Sequence, residues 1–171
     1  MIVYENLYKI DNAKTLSYIL KGDNRYFDNK LLSLFKTELI EEDIFRVLLH
    51  NDVQSELHNM IIALKRNKFI YPHKHVKSES YQIIEGKMAL IYFSQSGNIE
   101  NYVILSINAH LISRVDKNQY HAIIVLSDYV IYHETRVGPF ESKNDSTTPS
   151  WLEEETKDIF MKNMVKTLNK D

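Results

Sequence analysis

The sequence contains no cysteine, which excludes disulfide bonds and thiolate ligands and leaves histidine, aspartate and glutamate for metal chemistry. No apolar run approaches the roughly 20 residues that a membrane-spanning helix needs. The first residues, MIVYENLYKIDN, lack the basic and then apolar order of a secretory signal. The charges nearly balance, with 21 basic and 23 acidic residues. These absences favour a soluble cytoplasmic protein with neither a membrane nor a nucleic acid as partner.

Glycine and proline are also scarce, at four and three among 171 residues, so the turns must depend on Asn, Asp and Ser. The Val-, Ile- and Tyr-rich segments that predict strands are 87–93, 99–106, 111–115, 121–126 and 129–134. Residues 95–98 and the pair Ser127-Asp128 predict hairpin turns between them. Short strands at this spacing are typical of an antiparallel jelly-roll sandwich or barrel.

Helices are predicted near both ends of the sequence. The segment FDNKLLSLFKTELIEED, at 27–43, has apolar residues at helical spacing, and Asp28 is a plausible N-cap. A second amphipathic helix is expected from Trp151 onward, after the polar stretch ESKNDSTTPS, which is expected to be a surface loop. The first residues leave two alternatives open, an edge strand over Met1 to Ile10 or a short helix over Ala13 to Lys21.

The segment YPHKHVKSESYQIIEG, at 71–86, carries the clearest chemical pattern. His73 and His75 are two residues apart, so on a β-strand both imidazoles lie on the same face. If the chain bends at residues 77–78, Glu79 returns to that face and adds an oxygen to the two nitrogens. The three side chains are therefore predicted to bind a metal, the alternative being a structural polar cluster.

This segment resembles the first cupin motif, in which a His-x-His pair, a glutamate and a glycine lie on adjoining strands of a small β-barrel. The second cupin motif adds a histidine, for which His121 in NQYHAIIVL is the candidate, although the usual Pro and Gly before it are replaced. The resemblance implies that His73, His75, Glu79 and His121 share one divalent ion. Three imidazoles and one carboxylate suit Fe, Mn, Ni, Co or Zn, and the sequence does not choose among them.

More specifically, the chain resembles the WbuC family of cupin metalloproteins over about 46–154. The matching pieces, in order, are FRVLLH, VQSELHNMIIAL, YPHKH, ESYQIIEGKMALIYF, HETRVGPF and the single tryptophan. The resemblance implies a mainly β cupin double-stranded β-helix, or jelly-roll barrel, with N-terminal and C-terminal helices. One domain is expected, with an extension at 1–43 packed on the barrel, the barrel at 44–140, and a loop and helix at 141–171.

Five further polar residues are candidates for contact with a ligand. Arg46 and His50 match the WbuC pattern and, on a strand, share one face, so they are predicted to bind an anionic or hydroxyl-rich substrate. Tyr81 and Tyr120 lie near the metal motifs as a possible catalytic and a possible substrate-binding group. Glu134 is the preferred inward residue at the end of its strand and a candidate general base.

Two functions from different classes follow. The first is a metal-dependent enzyme, such as an isomerase or epimerase, acting on a sugar or nucleotide-sugar. The WbuC resemblance implies this setting of surface polysaccharide biosynthesis, including the O-antigen of lipopolysaccharide and the capsule. The second is a non-catalytic module that binds or senses a small molecule. A metal-free pocket using histidines as acid and base is a third alternative, and a homodimer is also expected.

Overall fold

The computed structural model describes residues 5–168 apart from Asn12, Lys14, Asn24, Asn67 and 142–144. These residues form ten strands and two helices. The strands are β1 Leu7–Lys9, β2 Leu16–Leu20, β3 Ile44–Leu48, β4 Leu57–Lys65, β5 Phe69–His75, β6 Glu79–Phe93, β7 Ile99–Ser106, β8 Ile112–Val115, β9 Tyr120–Val137 and β10 Ser146–Thr147. The helices are α1 Asn29–Glu41 and α2 Lys157–Leu168. Among the described residues, no helix is long and apolar enough to cross a membrane.

The strands join into one mixed sheet that wraps around an apolar interior without closing, in the predicted mainly β architecture. Neighbouring strands are antiparallel, except that β2 lies parallel to β3. The two long strands, β6 and β9, pair along most of their length. The first half of β9 also pairs with β5, and its second half pairs with β4. Strand β9 therefore brings separate parts of the chain to one interior.

The hairpin expected at Ser127-Asp128 is wrong, because β9 continues through both residues as a single strand of 18 residues. Beside Ser127 and Asp128, the pairing of β6 with β9 shifts register around Gly86. An irregularity of this kind bends the paired strands. The Ser127 hydroxyl stabilises the bend by accepting a hydrogen bond of 2.8 Å from the Lys87 amide. Gly86 has φ +86°, and a Cβ there would lie 2.3 Å from the Tyr129 carbonyl oxygen. Polar residues here mark a bend in the sheet instead of a reversal of the chain.

The expected turn at residues 95–98 is present, where the Ser94 amide donates a hydrogen bond of 2.9 Å to the Asn98 carbonyl. Alternating residues of the strands divide the apolar side chains between the interior and two outer clusters. One outer cluster lies under α1 and contains Phe45, Val47 and Ile61. The other lies under α2 and includes Met161 of that helix. The helices thus cover parts of the outer sheet surface and leave the interior to the strands.

Helix α1 begins as predicted, because the Asp28 carboxylate accepts a hydrogen bond of 2.9 Å from the Leu31 amide. Helix α2 begins at Lys157, later than the expected start at Trp151. The indole of Trp151 packs beside Phe93 and Phe160, with ring centroids 5.4 and 5.7 Å away.

The helix alternative for residues 13–21 is wrong, because residues 16–20 form β2. The edge-strand alternative for the first ten residues corresponds in part to β1. Residues 1–4 lie outside the described part of the chain.

Candidate metal centre

Three strands bring the predicted metal-binding side chains together at one end of the interior. His73 and His75 lie at the end of β5, the chain bends at residues 76–77, and Glu79 begins β6. His121 lies at the start of β9, directly opposite His73 in the strand pairing. One ligand atom from each of these four residues lies within 4.8 Å of the others. Two bonds of about 2.3 Å to a shared ion span about 4.6 Å, so this separation is close to that of a coordination shell.

Hydrogen bonds to the backbone fix the orientation of all three imidazoles. The Nδ1 atoms of His73, His75 and His121 lie 2.8, 2.7 and 3.0 Å from the carbonyl oxygens of Tyr71, Asp145 and Gln119. A carbonyl only accepts, so each Nδ1 carries a hydrogen and donates it. In the neutral imidazole this leaves a lone pair on each Nε2. The same outer hydrogen bond orients histidines that bind metals.

These Nε2 atoms crowd together in a way that calls for a positive charge between them. The Nε2 atoms of His73 and His75 are 3.0 Å apart, and that of His121 is 2.8 Å from the Glu79 Oε1 atom. Lone pairs facing one another at these distances repel unless a proton or a cation lies between them. The other Glu79 oxygen, Oε2, is buried and has no hydrogen-bond partner among the described residues. A divalent ion would satisfy all of these atoms at once, so the donor set fits a metal.

The electrostatics keep the donors in the states that bind metals. Burial, together with the neighbouring histidines, lowers the pKa of His73 to about 3, so its ring is neutral at ordinary pH. Burial alone would raise the pKa of Glu79, but hydrogen bonds from His121 and Tyr81, together with the positive charge that His121 and His75 carry when their rings are protonated, lower it to about 2. The Tyr81 hydroxyl is one such partner, since it donates to Glu79 Oε1 at 2.8 Å. Burial raises the pKa of Tyr81 well above its usual value, so Tyr81 remains a donor.

Beside the donors lies a cavity of about 220 Å³. Its polar lining includes His73 and His75 together with three candidates from the sequence, Arg46, Tyr81 and Glu134. Strand alternation directs Glu134 inward and places its neighbour His133 on the outer face, beside Asn59. Burial raises the pKa of Glu134 to about 7, and the negative charge of Glu79 adds to the shift.

The remaining two candidates lie elsewhere. His50 is buried beyond the end of β3, its Nδ1 atom is 3.0 Å from the Asn59 carbonyl oxygen, and it lines an adjoining cavity of about 160 Å³. Tyr120 lies on the opposite face of β9 from His121 and packs against Trp151. This position does not support contact between Tyr120 and a substrate, because adjacent residues of a strand point to opposite faces.

The structure adds two residues that the sequence patterns did not single out. Arg136 lines both cavities and forms an ion pair with Asp145. Asp145 is buried, although the segment around it was expected to be a surface loop, and its carbonyl also accepts the His75 hydrogen bond. Arg136 could have been found from the sequence, because it is two residues after Glu134 on the same strand and therefore lies on the same inward face. No local sequence pattern predicts the position of Asp145. That position depends on the adjacent strand β10, which pairs with the distant strand β5.

Comparisons with known proteins agree with this architecture. The family model described as "Domain of unknown function (DUF6016)" matches residues 45–105. No curated protein matches the sequence. Protein SO0799 from Shewanella oneidensis aligns at a TM-score of 0.53 and 11% identity, over 69% of this chain and 77% of that one.

Two longer chains are similar over a shorter share of their own length. CapF, solved with the inhibitor 3-isopropenyl-tropolone, aligns at a TM-score of 0.53 and 14% identity, over 60% of this chain and 30% of CapF. A salicylate 1,2-dioxygenase from Pseudoaminobacter salicylatoxidans, solved as a mutant in complex with gentisate, aligns at a TM-score of 0.52 and 13% identity. The alignment covers 66% of this chain and 33% of the dioxygenase. The chain thus spans about a third of each of these proteins. Together these structures show that the chain has the cupin fold.

Proposed function

We propose that the protein is a metal-dependent cupin enzyme whose ion is held by His73, His75, Glu79 and His121. The observation that carries this proposal is the orientation of the imidazoles, whose Nε2 lone pairs crowd beside a buried Glu79 oxygen without a hydrogen-bond partner among the described residues. The ion would be Fe, Mn, Ni, Co or Zn, all of which accept this donor set. When bound, it would act as a Lewis acid towards a substrate oxygen.

The cavity supports catalysis over a purely structural metal site. It adjoins the donors, and it is lined by a carboxyl group, Glu134, whose pKa of about 7 suits proton transfer near neutral pH. In an isomerisation or epimerisation, Glu134 would take a proton from the substrate carbon next to a carbonyl and return it to a neighbouring position or to the opposite face. Tyr81 would hold Glu79 in place through its hydrogen bond. Arg46 would orient the substrate.

The proposed substrate is a sugar or nucleotide-sugar used in surface polysaccharide biosynthesis, such as O-antigen or capsule synthesis. This finer proposal is supported by the ordered sequence motifs shared with the WbuC family. At about 220 Å³ the cavity is smaller than the roughly 300–1,000 Å³ of common ligand pockets, so it suits a ligand no larger than a single sugar ring. The expected homodimer stays a prediction.

The metal site is tested by stripping the protein with chelator and titrating each of the five ions by calorimetry. We expect one ion per chain, and a loss of affinity of at least about 100-fold in His75→Ala, since removing even an outer partner of a metal ligand costs about 10–100-fold. His110→Ala is the matched control, because His110 is exposed and lies outside the donor cluster. Equal metal binding by His75→Ala and the control would refute the site.

Catalysis is tested by incubating the metal-loaded protein with sugars in deuterated water and following exchange at carbon by NMR. We expect Glu134→Gln to abolish exchange while it retains the metal. Ligand binding without exchange or turnover in the unmodified protein would instead favour a sensing module.

A further inference from the structure

Two cavities meet at a pair of arginines inside the protein. The cavity beside the metal donors and the adjoining cavity of about 160 Å³ share Arg46, Arg136 and Met60 in their linings. Arg46 projects inward from β3 and Arg136 from β9. A ligand in either cavity would therefore contact guanidinium groups.

The guanidinium of Arg46 uses one of its nitrogens in a hydrogen bond and leaves the other two without one among the described residues. Its Nε atom donates a hydrogen bond of 2.7 Å to the Ser17 hydroxyl, and this is its only hydrogen bond within the described part of the chain. Glu134 lines the same cavity, but no ion pair joins it to Arg46 within 4.0 Å. The two terminal nitrogens thus remain available as a fork of donors, a geometry that suits a carboxylate.

Arg136 is already neutralised, unlike Arg46. Its guanidinium forms an ion pair with the buried Asp145 carboxylate and lies over the Phe140 ring, 5.5 Å from the centroid. The two charges of this pair cancel, which leaves the charge of Arg46 as the one without an ion-pair partner among the described residues at the junction. Arg46 is partly buried, and a charge withdrawn from water is costly without a partner, so this junction favours a ligand with a single negative charge.

The adjoining cavity has flat and mostly apolar walls. The rings of His50 and His58 stack with centroids 4.1 Å apart, and Leu48, Val53 and Phe140 complete much of the lining. Burial lowers the pKa of both histidines, so neither adds a positive charge at neutral pH. A doubly charged phosphate would find only one unpaired cation among the described lining residues, whereas a carboxylate with a compact body matches both the charge and the walls.

We infer that the ligand of this site is a small carboxylic acid whose carboxylate binds Arg46 at the junction of the two cavities. This inference rests on the proposed function, because it names the substrate class for the same cavity. Among sugars, the site would therefore bind sugar acids in preference to neutral sugars. The nucleotide part of a nucleotide-sugar would lie outside the two cavities, which hold only about 220 and 160 Å³.

The test compares acids with neutral molecules of the same shape. Metal-loaded protein is titrated by calorimetry with glucuronate, lactate and benzoate, each beside its amide, and with inorganic phosphate. We expect at least one acid to bind about tenfold or more tightly than its amide, since hydrogen bonds between two charged groups are stronger than those to a neutral amide, and tenfold in affinity corresponds to about 1.4 kcal/mol. If no acid is preferred over its amide, or if phosphate binds more tightly than every acid, the inference is wrong.

Variants then assign the preference to Arg46. Arg46→Gln should remove most of the difference between acid and amide and leave metal content unchanged, whereas Arg66→Gln, at a surface arginine with a side chain 55% exposed, should retain it. Acid binding that survives Arg46→Gln intact would overturn the inference. If metal binding itself fails in the unmodified protein, the proposed function is wrong, whereas failed acid preference with metal bound refutes only the substrate class.

Discussion

Replacing Glu134 by glutamine is expected to stabilise the metal-free protein at alkaline pH. Glu134 is buried on the inner face of β9, and burial raises the pKa of its carboxyl group from 4.5 to about 7. The folded protein therefore holds this proton more tightly than the unfolded chain does. The stability that Glu134 contributes is fully present below pH 4.5 and is lost as pH rises through about 7. Glutamine has nearly the same shape and does not ionise.

The size of the effect follows from the shift in pKa. The pKa of Glu134 rises from 4.5 in the unfolded chain to about 7 in the folded protein, and each tenfold change in proton affinity corresponds to about 1.36 kcal/mol. Ionisation of Glu134 thus costs roughly 3 kcal/mol when both states are fully ionised, and less than about 1 kcal/mol at pH 4.5, where only the unfolded state is half ionised. Between pH 4.5 and pH 8.5 the variant should gain about 3 kcal/mol relative to the unmodified protein.

Urea unfolding of chelator-treated protein at the two pH values measures this change, since the midpoint and slope give the free energy of unfolding. Comparing the two proteins at each pH removes the contributions of groups that titrate alike in both. Glu100→Gln is the control, because Glu100 is exposed on β7. A relative gain below about 1 kcal/mol, or a gain that is equal at both pH values, would show that burial of Glu134 does not control its ionisation.

Three further predictions follow. Gly97→Ala should lower the free energy of unfolding by about 1–3 kcal/mol, because the new Cβ would lie 2.7 Å from a Trp151 ring carbon. Gly22→Ala, with positive φ but a nearest contact of 3.7 Å, should cost less in the same urea assay, and the reverse order would contradict the packing argument. Bound metal should be lost on dialysis against chelator as the pH falls through about 3, because protonation of His73, whose pKa is about 3, removes one ligand; elemental analysis showing a stoichiometric ion after long dialysis well below that pH would exclude His73 as a ligand. Asp145→Ala should weaken metal binding about 10–100-fold in calorimetry, because the ion pair with Arg136 helps to hold the carbonyl that orients His75. Unchanged affinity would make this contact irrelevant.

Local sequence patterns predicted features that depend on a few neighbouring residues. The N-cap at Asp28 and the spacing of Leu31, Phe35 and Leu39 predicted α1, because capping and helical periodicity act within one or two turns. The pair His73 and His75 could be placed on one face because strand alternation has a period of two. The hairpin predicted at Ser127-Asp128 is absent, because Ser and Asp suit a turn but also suit an irregular point in a long strand whose partner is not visible in the local sequence.

The sequence by itself therefore determined the cupin-type β architecture, α1 and the set of polar residues from which the candidate site is built. Only the tertiary structure decided how those residues combine. In the folded protein each ligand histidine donates a hydrogen bond to a backbone carbonyl, and for His75 this is the carbonyl of the distant Asp145. Tyr120 points away from the cavity that Glu134 lines. The tertiary structure also left Arg46 with unused donors between two cavities. These features depend on pairing between strands far apart in the chain, which no local pattern encodes, because contacts across a sheet are set by the packing of the whole domain.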